Sequence, residues 1–215
     1  MPRSAATVDR PDRKQAILLA AERLFAQHGY HGVSLRQIAD DAGVPLALVG
    51  YYYGQKHELF QAIFDHWGST IEERVAGLQV ALQAPERQRL QRVVAAFIEP
   101  VLRMRASPEG EYYALLVARE LGHVREDTEQ VLRQWFDPMA TAFIDALHAL
   151  MPQATRGQVA WCYQFMLGAL LHHLSDNRVV RLSHGEIQGR DDQARQLLID
   201  FIIGGIRAAL PRPTD

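Results

Sequence analysis

The sequence predicts an all-α fold, and three observations carry that prediction. Apolar residues recur three and four positions apart along nearly the whole chain and almost never alternate. Glycines and prolines fall mostly between these periodic stretches, where helices stop and start. Residues 34–37 carry the reciprocal capping pattern of a helix start. Composition agrees: 215 residues, 48% apolar and 22% charged, describe an ordinary globular chain with room for a small domain joined to a larger one.

Taken in order, Ile17, Ala20, Ala21, Leu24 and Phe25 make one buried helix face, and Gly29 stops that helix. In the next segment Ser34 can accept from the backbone N–H of Gln37 while Gln37 reaches back to the N–H of Ser34. Val33 and Ile38 stand at the positions of a hydrophobic staple. Leu35, Ile38, Ala39 and Ala42 form the stripe of a short helix that Gly43 ends. Pro45 opens a third helix, where its missing N–H costs nothing, and Gly54 breaks it after Tyr53. A longer helix follows over 57–82, with Leu59, Phe60, Ile63, Phe64, Trp67, Ile71, Val75, Leu78 and Leu82 along one side and Pro85 closing it. Further helices are predicted at roughly 86–105, 109–122, 125–150, 156–176 and 190–210. Pro108, Pro152 and the polar stretch 183–190 punctuate them, while Pro100 and Pro138 are expected to kink or interrupt theirs.

Several classes of function are disfavoured. The polar start lacks the apolar core of a secretory signal, and no run approaches the twenty or so apolar residues of a membrane span, so a cytoplasmic protein is expected. Cys162 is the single cysteine and lies in an apolar helix with no readable histidine partner, which argues against a nucleophile. His172 and Asp176 have i, i+4 spacing but no evident third ligand, and no phosphate loop or dinucleotide fingerprint is present. No enzyme, metal or cofactor is expected. The net charge is −2; seven basic against six acidic residues in 1–60 leave +1 there and −3 elsewhere. A few well-placed cations, not a bulk field, would have to serve any nucleic-acid partner.

A capped helix, a glycine turn and a second short helix make a helix-turn-helix, with 34–42 as the supporting and 45–53 as the recognition helix. Ala20-Ala21-Glu22-Arg23-Leu24-Phe25, Gly29-Tyr30, Val33 through Ala39, Ala42-Gly43-Val44 and Tyr52 through Leu59 together resemble the TetR family signature, continuously over about 13–67. In the C-terminal body, Leu115 through Leu121 and Phe165 through Ala169 resemble members grouped as fatty-acid-responsive regulators. The resemblance implies a DNA-binding head (1–60) and a ligand-binding and dimerisation domain (61–215). It places Lys56 against a DNA phosphate and matches Tyr51 and Tyr52 to positions that touch the backbone. Arg36 can reach a phosphate or a guanine edge, or else pair with Asp40 one turn on. Where the family often has Ser or Thr, Lys or Arg, and Tyr, this chain has Pro45, Leu46 and Gly50, so the face offered to the groove is unusually apolar. Ser34 and Ala47 complete the expected DNA-contacting set.

The helix at 156–176 is apolar nearly all round and must be covered on several sides. As in TetR relatives, it is expected to form a four-helix bundle with the last helix and their mates across a two-fold axis. Trp161, Phe165, Leu170, Leu198, Phe201, Ile202, Gly205 and Ile206 are expected at that interface. Candidate pocket residues are Phe97, Met104, Tyr112, Tyr113, Leu116, Arg119, Trp135, Met139, Phe143, Met166 and His172; such residues at helical spacing are otherwise core. Arg119 could anchor a ligand carboxylate or pair with Glu120. The expected partners are a palindromic double-stranded operator, a second copy of the chain and a small apolar or amphipathic ligand. The expected function is a repressor released by that ligand. An activator of the same family, a helical enzyme carrying a helix-turn-helix, and an interaction bundle without DNA binding are the competing readings.

Overall fold

The computed structural model describes residues 12–107, 110–122, 126–176, 178–186 and 192–210. Pro108, residues 187–190 of the polar stretch and most of the polar start lie outside them. The described residues are helical throughout, without a strand, and the chain divides into two compact units, one ending at Asp65 and one beginning at His66.

In the first unit, α1 (Arg13–His28) is capped by Asp12, whose carboxylate accepts from the N–H of Lys14 at 3.0 Å. The predicted box at α2 (Leu35–Asp41) is present: Ser34 Oγ accepts from Gln37 N at 3.3 Å, and Gln37 Oε1 accepts from Ser34 N at 2.8 Å. Gly43, at φ 66°, makes the turn into α3 (Leu46–Tyr53), in a left-handed conformation costly for other residues. An Arg23–Asp41 ion pair ties α1 to the end of α2. Ile17, Phe25, Ile38, Val49, Leu59, Phe60, Ile63 and Phe64 fill the core, with the Phe25 and Phe60 rings edge to face at 5.6 Å. The helix α4 (Lys56–Leu82) begins in this unit, and its residues from His66 belong to the second.

The second unit adds α5 (Glu86–Arg105), α6 (Gly110–Gly122), α7 (Glu126–Leu150), α8 (Arg156–Ser175), α9 (Arg178–Leu182) and α10 (Asp192–Ala209). Here α8 packs on α6, α7 and α10, and α5 on α6, α7 and α10. Of the kink or interruption expected at Pro100 and Pro138, the interruption does not occur: α5 and α7 run through both prolines; packing along both helices outweighs the roughly 3 kcal/mol of an interior proline. The short α9 was not anticipated, because five residues are too few to show a helical period. Its start is fixed instead by Asp176, which accepts from the N–H of Arg178 at 2.7 Å. A second capping box, Thr155 with Gln158, opens α8.

Candidate functional site

On the head, α3 turns Val49 into the core and leaves Pro45, Leu46, Ala47, Gly50 and Tyr51 exposed. Tyr51 is 79% exposed, and its ring meets that of Tyr52 edge to face at 5.2 Å. Tyr53 is structural: half-buried, it donates from its hydroxyl to the backbone carbonyl of Lys14 at 2.9 Å. Burial first, and the charge of Asp12 second, push its phenol up to about 12. Lys56 is half-buried, with its ammonium 4.4 Å from the centre of the Tyr30 ring. Arg36 is exposed in the first turn of α2, and among the described residues no ion pair joins it to Asp40. The Ser34 hydroxyl is exposed while it caps α2. Phenols, an ammonium and a guanidinium can all donate to phosphate oxygens, and the apolar middle of α3 suits a thymine methyl.

The second unit contains a cavity of about 420 Å³ walled by α4, α5, α6, α7 and α8, within the range of small-molecule sites. Of the predicted pocket residues, Met104, Tyr113 and Met139 lie on its wall. Phe97, Leu116, Phe143 and Met166 are fully buried in the packing around it, not on the wall. Helical spacing separates buried from exposed positions, but not a face turned to a void from one turned to a neighbouring helix. Tyr112, Arg119, Trp135 and His172 are also absent from the wall. Arg119 is exposed, because the inner stripe of α6 runs through Tyr113, Leu116, Val117 and Glu120. His172 is drawn to Asp176, at 3.4 Å, on the exposed side of α8. Trp135 sits over Gly68, where an added Cβ would come within 2.9 Å of the indole.

Sequence reasoning missed Thr70, Tyr163, Gln164 and above all Arg74 on this wall. Arg74 is only 4% exposed and its guanidinium carbon lies 4.0 Å from the centre of the Phe97 ring. Burial, opposed by Tyr163 and Tyr113, draws it down to about 10. A signal was available: Arg74 follows Ile71 by three and precedes Leu78 by four, squarely on the apolar stripe of α4.

On their outer face, α8 and α10 expose large apolar side chains among polar ones. Trp161, Phe165 and Phe201 are 64%, 65% and 71% exposed, with Leu197, Gly204 and Gly205 also outward. The Trp161 and Phe165 rings stack at 5.7 Å. Leu170, Ile202 and Ile206, expected on this face, are buried within the unit, and Leu198 is half-buried. The stripe read from the sequence had merged two faces of α10, the inner one being Ile199, Ile202, Ile203 and Ile206. Cys162 is buried on α8 and its thiol pushed up by that burial, the reverse of what a nucleophile needs. Among the described residues no cluster of metal-ligating side chains occurs, and no helix is long and apolar enough to cross a membrane.

Comparison with known proteins matches both units. Residues 17–63 fit the model of bacterial regulatory proteins of the tetR family, and residues 95–205 fit that of the tetracyclin repressor-like C-terminal domain. The class is thus a helix-turn-helix, DNA-binding transcriptional regulator. The chain belongs to the tetR family. It is 33% identical over 92 residues to the transcriptional activator FasR of Mycolicibacterium smegmatis, covering 42% of this chain and 41% of that one. It is 25% identical over 198 residues to the transcriptional repressor NicS of Pseudomonas putida, covering 86% of each. The chain spans under half the length of FasR and of the repressor AcnR of Corynebacterium efficiens, 41% and 48%. Among solved structures, a mutant of HlyIIR superposes with a TM-score of 0.61 at 18% identity, covering 98% of this chain and 100% of that one. The fatty acid degradation regulator FadR of Bacillus halodurans gives 0.59 at 16%, covering 93% and 98%. At these identities the structural likeness speaks for the fold.

Proposed function

We propose that the protein is a ligand-released repressor: a homodimer that holds a palindromic operator and lets it go when a small apolar or amphipathic molecule fills the cavity. One observation carries this reading: the cavity is walled on one side by α4, whose first turn carries Lys56. A ligand that favours one placement of α4 over another changes the set of head positions a dimer can present to successive major grooves. The DNA-binding role falls to residues 1–60 and the ligand and dimer roles to 61–215. Arg36, Tyr51, Tyr52 and Lys56 serve as phosphate and base-edge contacts, Ser34 orders α2, and Pro45, Leu46, Ala47 and Gly50 form the close-fitting apolar surface. The chain acts in the cytoplasm, where its DNA partner lies, and performs no catalysis.

The Trp161, Phe165 and Phe201 face supports the dimer, since apolar side chains so exposed on two packed helices need a cover. Because FasR is an activator, activation is the second reading. A gel shift on the DNA upstream of its own gene, with and without ligand, tests the proposal, and a transcription assay on the same fragment gives the sign. Tight, specific binding retained by a Tyr51→Ala, Lys56→Ala double variant would overturn the residue assignment.

A further inference from the structure

The guanidinium of Arg74 is an ionic group set into an apolar wall. Its Nε and Nη2 are buried and make no hydrogen bond, although a buried cation without partners costs several kcal/mol. Drawn down only to about 10, it stays charged at neutral pH. One face of the guanidinium is occupied by the Phe97 ring at 4.0 Å. That ring is itself held edge to face by Phe143 at 5.0 Å and Tyr163 at 5.4 Å. Stacking of this kind fixes the plane of the group. Nε and Nη2 are the two nitrogens of a single edge, the side-on fork that the two oxygens of a carboxylate match.

The rest of the wall sets the class of molecule. Ile71, Met104, Met139, Ile144, Leu167 and Leu171 make it mostly apolar. Asp137, its one acidic residue among those described, is exposed. One buried positive charge suits one negative charge; a dianion would keep a charge uncompensated in an apolar chamber. We propose that Arg74 is the anion anchor of this cavity and that the ligand is a monocarboxylate with an apolar body. The proposal rests on the reading of the cavity as the sensor site and gives that site its chemistry. It also moves the anchoring role from Arg119 to Arg74, and seats the anion on α4 itself.

The test is a calorimetric titration of the full-length protein with three probes that share one tail: decanoate, decanol and decylammonium. Decanoate is expected to bind at least tenfold more tightly than decanol, and decylammonium more weakly than either. In Arg74→Met, which keeps the length and the contact with Phe97 but not the charge, decanoate and decanol should bind within twofold of each other. Arg74→Lys should fall between, since an ammonium keeps the charge but not the fork. Absence of a preference for decanoate in the unmodified protein, including absence of binding by either probe, overturns the proposal whatever the variants do. A preference that survives Arg74→Met overturns it too. Gel shifts with the same probes separate the two readings. Arg74-dependent binding of decanoate with undiminished operator binding leaves the anchor standing and sinks release; release by decanol as readily as by decanoate does the reverse.

Discussion

Gly50 lies in the interior of a short helix that can ill spare it. Replacing a helix-interior glycine by alanine stabilises by ~1 kcal/mol where the added methyl meets nothing. At Gly50 a built Cβ has no heavy atom within 4 Å, and the N–H of Gly54 would still reach the Gly50 carbonyl, now at 2.9 Å. Gly50→Ala is therefore expected to stabilise the head by roughly 0.5–1 kcal/mol. The melting transition should rise by about 4–8 °C per kcal/mol if the head melts alone, or about 2–4 °C if it melts with the body. If α3 lays this face against DNA, the same methyl holds the helix away from the groove floor. Affinity should then fall about tenfold, ~1.4 kcal/mol. Circular dichroism melts and fluorescence anisotropy on the upstream fragment give the two numbers. A lower melting temperature would refute the open environment read at Gly50. A higher one with unchanged DNA affinity would refute the placement of this face in the groove.

Phe201→Ala should weaken the proposed dimer. At 71% exposure, a side chain of roughly 200 Å² leaves about 140 Å² per copy, an upper bound of ~7 kcal/mol for two. Even ~2 kcal/mol of that is a ~30-fold rise in the dissociation constant, and a shift under fivefold by analytical ultracentrifugation counts against the face. Lys56→Ala should lower the magnitude of the slope of log affinity against log salt by about 1 per protomer; an unaltered slope means that Lys56 touches no phosphate. Tyr53 has a folded pKa, about 12, above its ordinary 10.0. Its stabilising contribution is complete below pH 10 and is lost as pH rises toward 12. Tyr53→Phe should cost about 1 kcal/mol at neutral pH and flatten that alkaline loss; equally steep curves would show that Tyr53 does not drive it.

How much was legible in the sequence differs between the two units, for a physical reason. The head is governed by local rules: Ser34 and Gln37 are three residues apart, and Gly43 and Gly54 each act on their own turn. Such signals survive in a one-dimensional reading, and the exposed face of α3 follows from them. The body is governed by which buried face meets which. Phe97 and Met139 have the same apolar character in sequence, yet one supports Arg74 from behind and the other lines the void. On α10, Phe201 and Ile202 are neighbours pointing to opposite destinations, and only the packing against α5 and α8 separates them. Arg74 was within reach, because a cation on an apolar stripe is a local anomaly.

The helix α8 has two faces with two occupations. Tyr163, Gln164, Leu167 and Leu171 look onto the cavity, while Trp161 and Phe165 look outward. If a ligand fills the chamber and a second subunit docks on the outward face, both events act on the same helix. By thermodynamic reciprocity, a ligand that alters the monomer–dimer equilibrium must have its own affinity altered by subunit association to the same degree. In the dimer, each chamber would then sense the other through the shared seam of α8 helices, and saturation would depart from a simple hyperbola. Titrations made at different protein concentrations would yield different apparent affinities, and that drift would itself measure the coupling.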